Sequence, residues 1–174
     1  PSPQRSWRYA TQPPPATAGT VPRPAAPPYR GLCRSDFDYP DAAEEELILE
    51  RAGSFSAPIR PVIDPAALPT LWQATSRVRV DPRLRRYILA LSQATRARPG
   101  TLALGVSPRG GLALQAAAQA RALLNARDFI LPEDIYRLAP AVFGHRLILS
   151  FDAEGDGLKP AKILRAILQT VPSP

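Results

Sequence analysis

Five consecutive residues, Gly105-Val106-Ser107-Pro108-Arg109, carry the strongest chemical suggestion in this sequence. Ser followed by Pro reads as a helix N-cap and first helical residue, because the missing proline N–H costs nothing where no intrahelical acceptor exists. Arg109 then falls in the first turn of a helix, beside unpaired backbone amides and the positive end of the helix dipole. That combination suits an anion such as a nucleotide phosphate. The same residues also describe an ordinary capped helix start with a solvated arginine, and residue types alone leave both readings open.

Other chemistry is scarce. A Walker A loop needs a glycine-rich turn ending Gly-Lys-Ser/Thr, so that backbone amides and the lysine hold the phosphates. The only lysines, Lys159 and Lys162, follow Leu158 and Ala161, so neither completes that motif. Ser107 and the single histidine, His145, do not make a hydrolase pair, since Ser107 precedes Pro108 and lacks the Gly-x-Ser-x-Gly elbow. His145 reads as structural. One histidine rules out a multi-histidine metal site, and one cysteine, Cys33, rules out an intramolecular disulfide framework. No apolar run approaches the roughly 20 residues that span a bilayer, and no signal-peptide core opens the chain, so a reducing cytoplasm is expected.

Elements must position Arg109, and the chain of 174 residues is long enough for one domain with a core. Of its 22 prolines, nine fall in the first 30 residues, where neither helix nor central strand is sustainable. The expectation is a mainly α protein: a small helical bundle preceded by a Pro-rich, poorly ordered N-terminal arm. The net charge of +7 invites a nucleic-acid partner. The arginines are scattered, however, and no basic run alternates with aromatics, so solvated surface charge is the simpler reading.

Asp38 to Arg51 predicts a short helix, with Asp41 and Glu44 as a capping box, Leu47 and Ile48 on its apolar side and Gly53 as its stop. Residues 66–76 predict a second helix with Leu68, Leu71 and Trp72, and Val78 and Val80 predict an extended piece. Asp81-Pro82 opens the clearest helix, with Leu84, Tyr87, Ile88, Leu91 and Ala94 on one face and Arg83, Arg85 and Arg86 in solvent. The helix from Pro108 is expected to run to about Asn125, with Leu112, Ala116, Ala120, Leu123 and Leu124 inward. Gly110 and Gly111 should weaken its first turn by about 1 kcal/mol each. Pro132 opens another helix over Ile135, Leu138, Ala139 and Val142. Leu147 to Phe151 should be extended, and a last helix at 160–170 uses Ile163, Leu164, Ile167 and Leu168. Short helices with brief connections make a bundle.

Several ordered motifs resemble the lid of MoxR-type AAA+ ATPases. They are Tyr87-Ile88-Leu89-Ala90-Leu91, Ala94-Thr95-Arg96, Leu104-Gly105-Val106-Ser107-Pro108-Arg109, Arg127 to Ile135, and Ala139 to Arg146. Asp38-Tyr39-Pro40 and the Glu-rich helix agree as well. The resemblance implies that Arg109 is the sensor-two arginine, with Ser107 and Pro108 beside it, reaching ATP held by a core domain. It implies that Arg30 falls at the arginine-finger position, in Pro28-Tyr29-Arg30-Gly31 where the family has Leu-Asp-Arg-Phe. Pro13 stands after Ala10-Thr11-Gln12, where the family has the sensor-one Asn. Leu131 stands at a helix N-cap where the family prefers Thr.

From that resemblance four segments are expected: 1–36 as arm and degraded end of an AAA+ core, 37–64 as capped helix and linker, 65–150 as helical lid, and 151–174 as C-terminal helix and tail. The implied function is that of a lid fragment, not catalytically competent alone, of an ATP-hydrolysing, chaperone-like family that forms homo-hexameric rings. ATP would be contacted through the lid, Mg²⁺ held elsewhere, and the clients are unspecified. A basic helical module for nucleic acid or an acidic partner, and a non-functional remnant, are the alternatives.

Overall fold

The computed structural model describes residues 31–35, 38–52 and 60–174, and Arg30, Gly53 and most of the expected arm lie outside them. Helix α1, Ala42–Glu50, starts as its sequence demands: Asp41 accepts from the Glu44 amide at 2.9 Å, and the Glu44 carboxylate accepts from the Asp41 amide at 3.1 Å. Its apolar side is a correction. Leu47 and Ile48 are exposed and α1 buries no residue. A capping box specifies where a helix begins, not what it packs against.

A 3-10 turn at Pro65–Ala67 leads into α2, Leu68–Arg77. The extended piece after it pairs with the run at 128–130: the Arg79 amide donates to Asp128 O at 2.7 Å and the Ile130 amide to Arg79 O at 3.2 Å. Val78 and Val80 are buried by this pairing. Helix α3, Pro82–Arg96, is capped by Asp81, which accepts from the Arg83 amide. Leu84, Tyr87, Ile88 and Leu91 line its buried face, and Arg83, Arg85 and Arg86 lie in solvent.

Strand β1, Leu102–Leu104, pairs antiparallel with β2, Ile148–Leu149, with an irregular register. This two-stranded ribbon ties the α3–α4 connection to the far end of the chain. Ser150 reinforces it, donating through its amide to Thr101 O and through its hydroxyl to Gly100 O, both at 3.0 Å. Phe151, expected to continue the strand, instead opens the short helix α6, Phe151–Gly155, and is exposed. Ser150 caps α6, and an N-cap ends a strand as firmly as it starts a helix.

Helix α4, Pro108–Leu124, buries Gly110, Leu114, Ala117, Ala118 and Ala122. The expected inward stripe is corrected: Leu112, Ala116 and Leu124 are exposed, and Leu123 is only partly buried against the core. Alanines all around this helix flatten its polarity profile, so spacing alone could not choose the face. Close packing against α5, Pro132–Phe143, chooses it, since alanine lets two backbones approach. Helix α7, Pro160–Thr170, places Ile163, Leu164, Ile167 and Leu168 in the same cluster as α3 and α5. Helices α1 to α7 with one small ribbon make a mainly helical architecture among the described residues.

Asp134 holds the turn between α4 and α5. Arg127 grips its carboxylate with two bonds of 2.8 Å, Arg121 donates at 3.1 Å, and the Leu131 amide donates at 2.8 Å. Ala126 (φ 53°) reverses the chain after α4 so that Arg127 can reach back. Burial raises the Asp134 pKa, but the Arg127 hydrogen bonds, the Leu131 amide and the neighbouring positive charges outweigh it and hold the carboxyl below its ordinary value. Half of a capping box therefore survives without a capping side chain at Leu131. Asp134→Ala should lower stability by about 3 kcal/mol, at the lower end for a broken buried pair because both arginines reach solvent. Leu131→Thr should raise it by about 1 kcal/mol by supplying the missing cap. Urea midpoints at constant m-value measure both.

Candidate functional site

Arg109 emerges where α3, β1 and α4 meet, and the connection there is held by main-chain proximity. Gly105 lies so close to the last turn of α3 that a Cβ would sit 2.9 Å from Thr95 C and from Arg96 N. Any side chain would have to displace backbone. Next to it the Val106 amide donates to Thr95 Oγ1 at 2.9 Å, and that hydroxyl donates to Ser92 O at 2.7 Å. Thr95 and Val106 are fully buried. The loop is thus seated on α3 one residue before the site begins.

From that seat Ser107, Pro108 and Arg109 come to the surface together, all three exposed, at the start of α4. Ser107 occupies the N-cap, yet its hydroxyl makes no capping bond. The Gly110 amide turns back to Ser107 O at 2.8 Å. Arg109 has no hydrogen-bond or ion-pair partner among the described residues. A plain cap would have used the serine, so the site keeps a hydroxyl and a guanidinium facing solvent at a helix N-terminus. These groups fit a phosphate, which needs several donors and a positive charge.

Beneath the same turn lies Arg146, which sequence reasoning left without a role. It is buried in a 3-10 turn, Gly144–Arg146, that continues α5. Its guanidinium donates to Gly31 O at 2.7 Å, to Leu32 O at 3.3 Å and to Val142 O. Burial lowers its pKa, though an arginine so placed stays charged. The adjacent His145 spans two carbonyls, Nδ1 to Ala141 O at 3.1 Å and Nε2 to Gly31 O at 3.3 Å. A ring held this way offers no base to Ser107. Gly110 also gains a reason it lacked: a Cβ there would collide with Val106 Cγ1 and come within 3.2 Å of Arg146 Cδ. The glycine that weakens the helix start is what lets Arg146 pass beneath it. An arginine following histidine at the end of an apolar helix was the signal available in the sequence.

Arg30 lies outside the described residues, so its geometry relative to Arg109 does not enter. Gly31 to Arg34, which follow it, do dock on the end of α5, where the Arg34 amide donates to Ala141 O at 2.8 Å. Cys33 is exposed; partial shielding of its sulfur raises the thiol pKa against the opposing charge of Arg146 and keeps it protonated.

Residues 93–167 match a family model described as an AAA lid domain. A Bacillus subtilis protein named YeaC is 38% identical over 95% of this chain and 52% of its own length. Chaperone MoxR1 of Mycobacterium tuberculosis is 32% identical over 100% of this chain and 48% of its own length. A solved structure of a candidate ATPase from Cytophaga hutchinsonii superposes with a TM-score of 0.78 at 27% identity, covering 90% of this chain and 50% of that one. The chain spans about half the length of the curated relatives it matches.

Two outcomes test the seat and the clamp. Thr95→Val strands the buried Val106 amide, which should cost about 1–3 kcal/mol and speed exchange of that amide. His145 is held below its ordinary pKa by burial first, then by the charges of Arg146 and Arg34, against the two carbonyls that favour protonation. Its depressed folded-state value makes the unfolded chain the better proton acceptor. Stability is then full above about pH 6.5 and declines as pH falls below it. Urea midpoints taken from pH 7 downward should fall in the wild type and flatten in His145→Gln over the same interval.

Proposed function

The chain belongs to the MoxR-type AAA+ ATPases, corresponding to their C-terminal portion with its AAA lid domain, and from that premise we propose that it is the lid through which such an ATPase senses its nucleotide. The observation that carries the reading is the pairing of an exposed, partnerless Arg109 with a Ser107 that leaves its helix uncapped. Arg109 meets the terminal phosphate of ATP as the sensor-two residue, with Ser107 as a further donor and Pro108 fixing the turn. ATP with Mg²⁺ supplies the scissile phosphate and its counter-charge. Everything this chain contributes is orientation and positive charge, which act where negative charge accumulates.

Because Thr95, Gly105 and Val106 fasten Arg109 to α3, a pull on the guanidinium moves the bundle as a body. That is how phosphate occupancy becomes rotation of a lid. The partner implied is an AAA+ core domain, and the assembly implied is a homo-hexameric ring acting on client proteins, with Arg30 as the finger toward a neighbour's nucleotide. The working unit extends from residue 65 through α7, whose apolar face shares the core of the lid. No helix among the described residues is long and apolar enough to cross a membrane, and a cytoplasmic setting fits the proposed role.

The nucleic-acid reading draws less support. Around the groove beside α3, Arg79 pairs with Asp128 and Arg83 with Asp81, which spends two of its four arginines locally.

The isolated chain should show no ATP turnover, since it has no phosphate-binding loop. ATP titrated into it should shift the Arg109 side-chain and Gly110 and Gly111 amide resonances before others, with apparent affinity falling about tenfold in Arg109→Ala and little changed in Arg85→Ala. Shifts spread evenly over all exposed arginines would overturn the assignment.

A further inference from the structure

We infer that Arg146 is a positioning residue, a strut that links the first turn of α4, where Arg109 stands, to the Gly31–Arg34 segment docked on the end of α5. Two sets of contacts meet in this one side chain. Its aliphatic stem runs under Gly110, close enough that a Cβ there would lie 3.2 Å from Cδ. Its guanidinium ends on Gly31 O and Leu32 O. Among the described residues the bonds it makes are to main-chain carbonyls, so its partner there is a stretch of backbone and not a side chain. The Arg34 amide bonded to Ala141 O and the His145 ring at Gly31 O fix the same stretch to α5.

A side chain so enclosed transmits displacement because packed interiors resist compression. If the first turn of α4 moves toward the bundle, Val106 and the Arg146 stem have no space to yield, and the guanidinium shifts against Gly31. Segment 31–34 is joined directly to Arg30. The strut therefore connects the arginine that reads this chain's own phosphate with the residue that follows the one aimed at a neighbour's. That functional meaning rests on the readings of Arg109 and Arg30 given above; the mechanical link does not.

Amide hydrogen exchange in the full chain tests the link without any nucleotide. Exchange at Arg34 should accelerate about tenfold in Arg146→Gln, since charge-assisted bonds to the docked segment are lost. Arg146→Lys, which keeps the charge but offers a single donor group, should recover only part of that protection. Gly110→Ala, at the opposite end of the strut, should accelerate Arg34 as well, and combining it with Arg146→Gln should add nothing further. Gly111→Ala, whose Cβ would meet only Ser92 Oγ at 3.5 Å and Ile88 Cγ2 at 3.6 Å, should leave Arg34 unchanged. Protection of Leu91 and Ile167, deep in the core, reports in the same spectra that each variant is folded. Should Gly110→Ala lose that protection, Val106→Ala/Gly110→Ala gives the new methyl group room while keeping its contact with Arg146. Unchanged exchange at Arg34 in Arg146→Gln, or equal effects of Gly110→Ala with and without Arg146, would overturn the strut. Neither result bears on whether ATP shifts Arg109, so the two ideas fail separately.

Discussion

The hydrogen bond from the Val106 amide to Thr95 Oγ1 decides where helix α4 begins. A buried amide without an acceptor is costly, and at this point the chain has just left β1 and has not yet entered α4, so neither ladder can supply one. Thr95 supplies it from the neighbouring helix, and Gly105 permits the approach by having no side chain. The direction in which Pro108 and Arg109 leave the bundle follows from that contact. Had α4 begun one residue later, its face would turn by about 100°. Arg109 would no longer stand clear of the bundle.

Beneath the site, the bundle solves a second problem in an unusual way. Most buried charges meet an opposite charge. Asp134 does so, between Arg121 and Arg127, and the result is a rigid corner between α4 and α5. Arg146 has carbonyl oxygens as its partners among the described residues. Carbonyl dipoles satisfy a guanidinium's geometry without cancelling its charge, so these bonds leave its positive potential under the α4 start. The exposed arginine and the buried one thus bracket a helix N-terminus whose own dipole has the same sign. All three contributions favour an anion at that end, and they disfavour leaving it empty.

Much of this was readable from residue types. Asp41, Asp81 and Ser150 are helix caps, and the first two, with the prolines at 82, 108 and 132, set most element boundaries before any coordinates. The stripes of α3 and α7 were legible because leucine and isoleucine alternate there with charge. Helix α4 was not, because alanine occupies both its faces and the choice between them is made by α5. Phe151 was misread since an apolar run carries no mark of a bend, whereas the serine before it did. At the candidate site, Ser107 and Pro108 marked the start of α4, and the resemblance to MoxR-type lids singled out Arg109. Arg146 was passed over because its partners are backbone carbonyls more than a hundred residues away, and no side-chain pattern announces a main-chain partner.

Helix α1 leaves a practical consequence. Its capping box makes it a well-formed helix, yet Leu47, Ile48 and Leu49 are 45, 60 and 75% exposed. Adjacent aliphatic groups held on an ordered surface attract one another between molecules more readily than the same groups on a fluctuating chain, whose ordering would have to be repeated at each encounter. Concentrated preparations of this polypeptide will accordingly scatter light and broaden resonances from 47–49 first, and dilution or a charged substitution at Leu49 will restore a single sedimenting species.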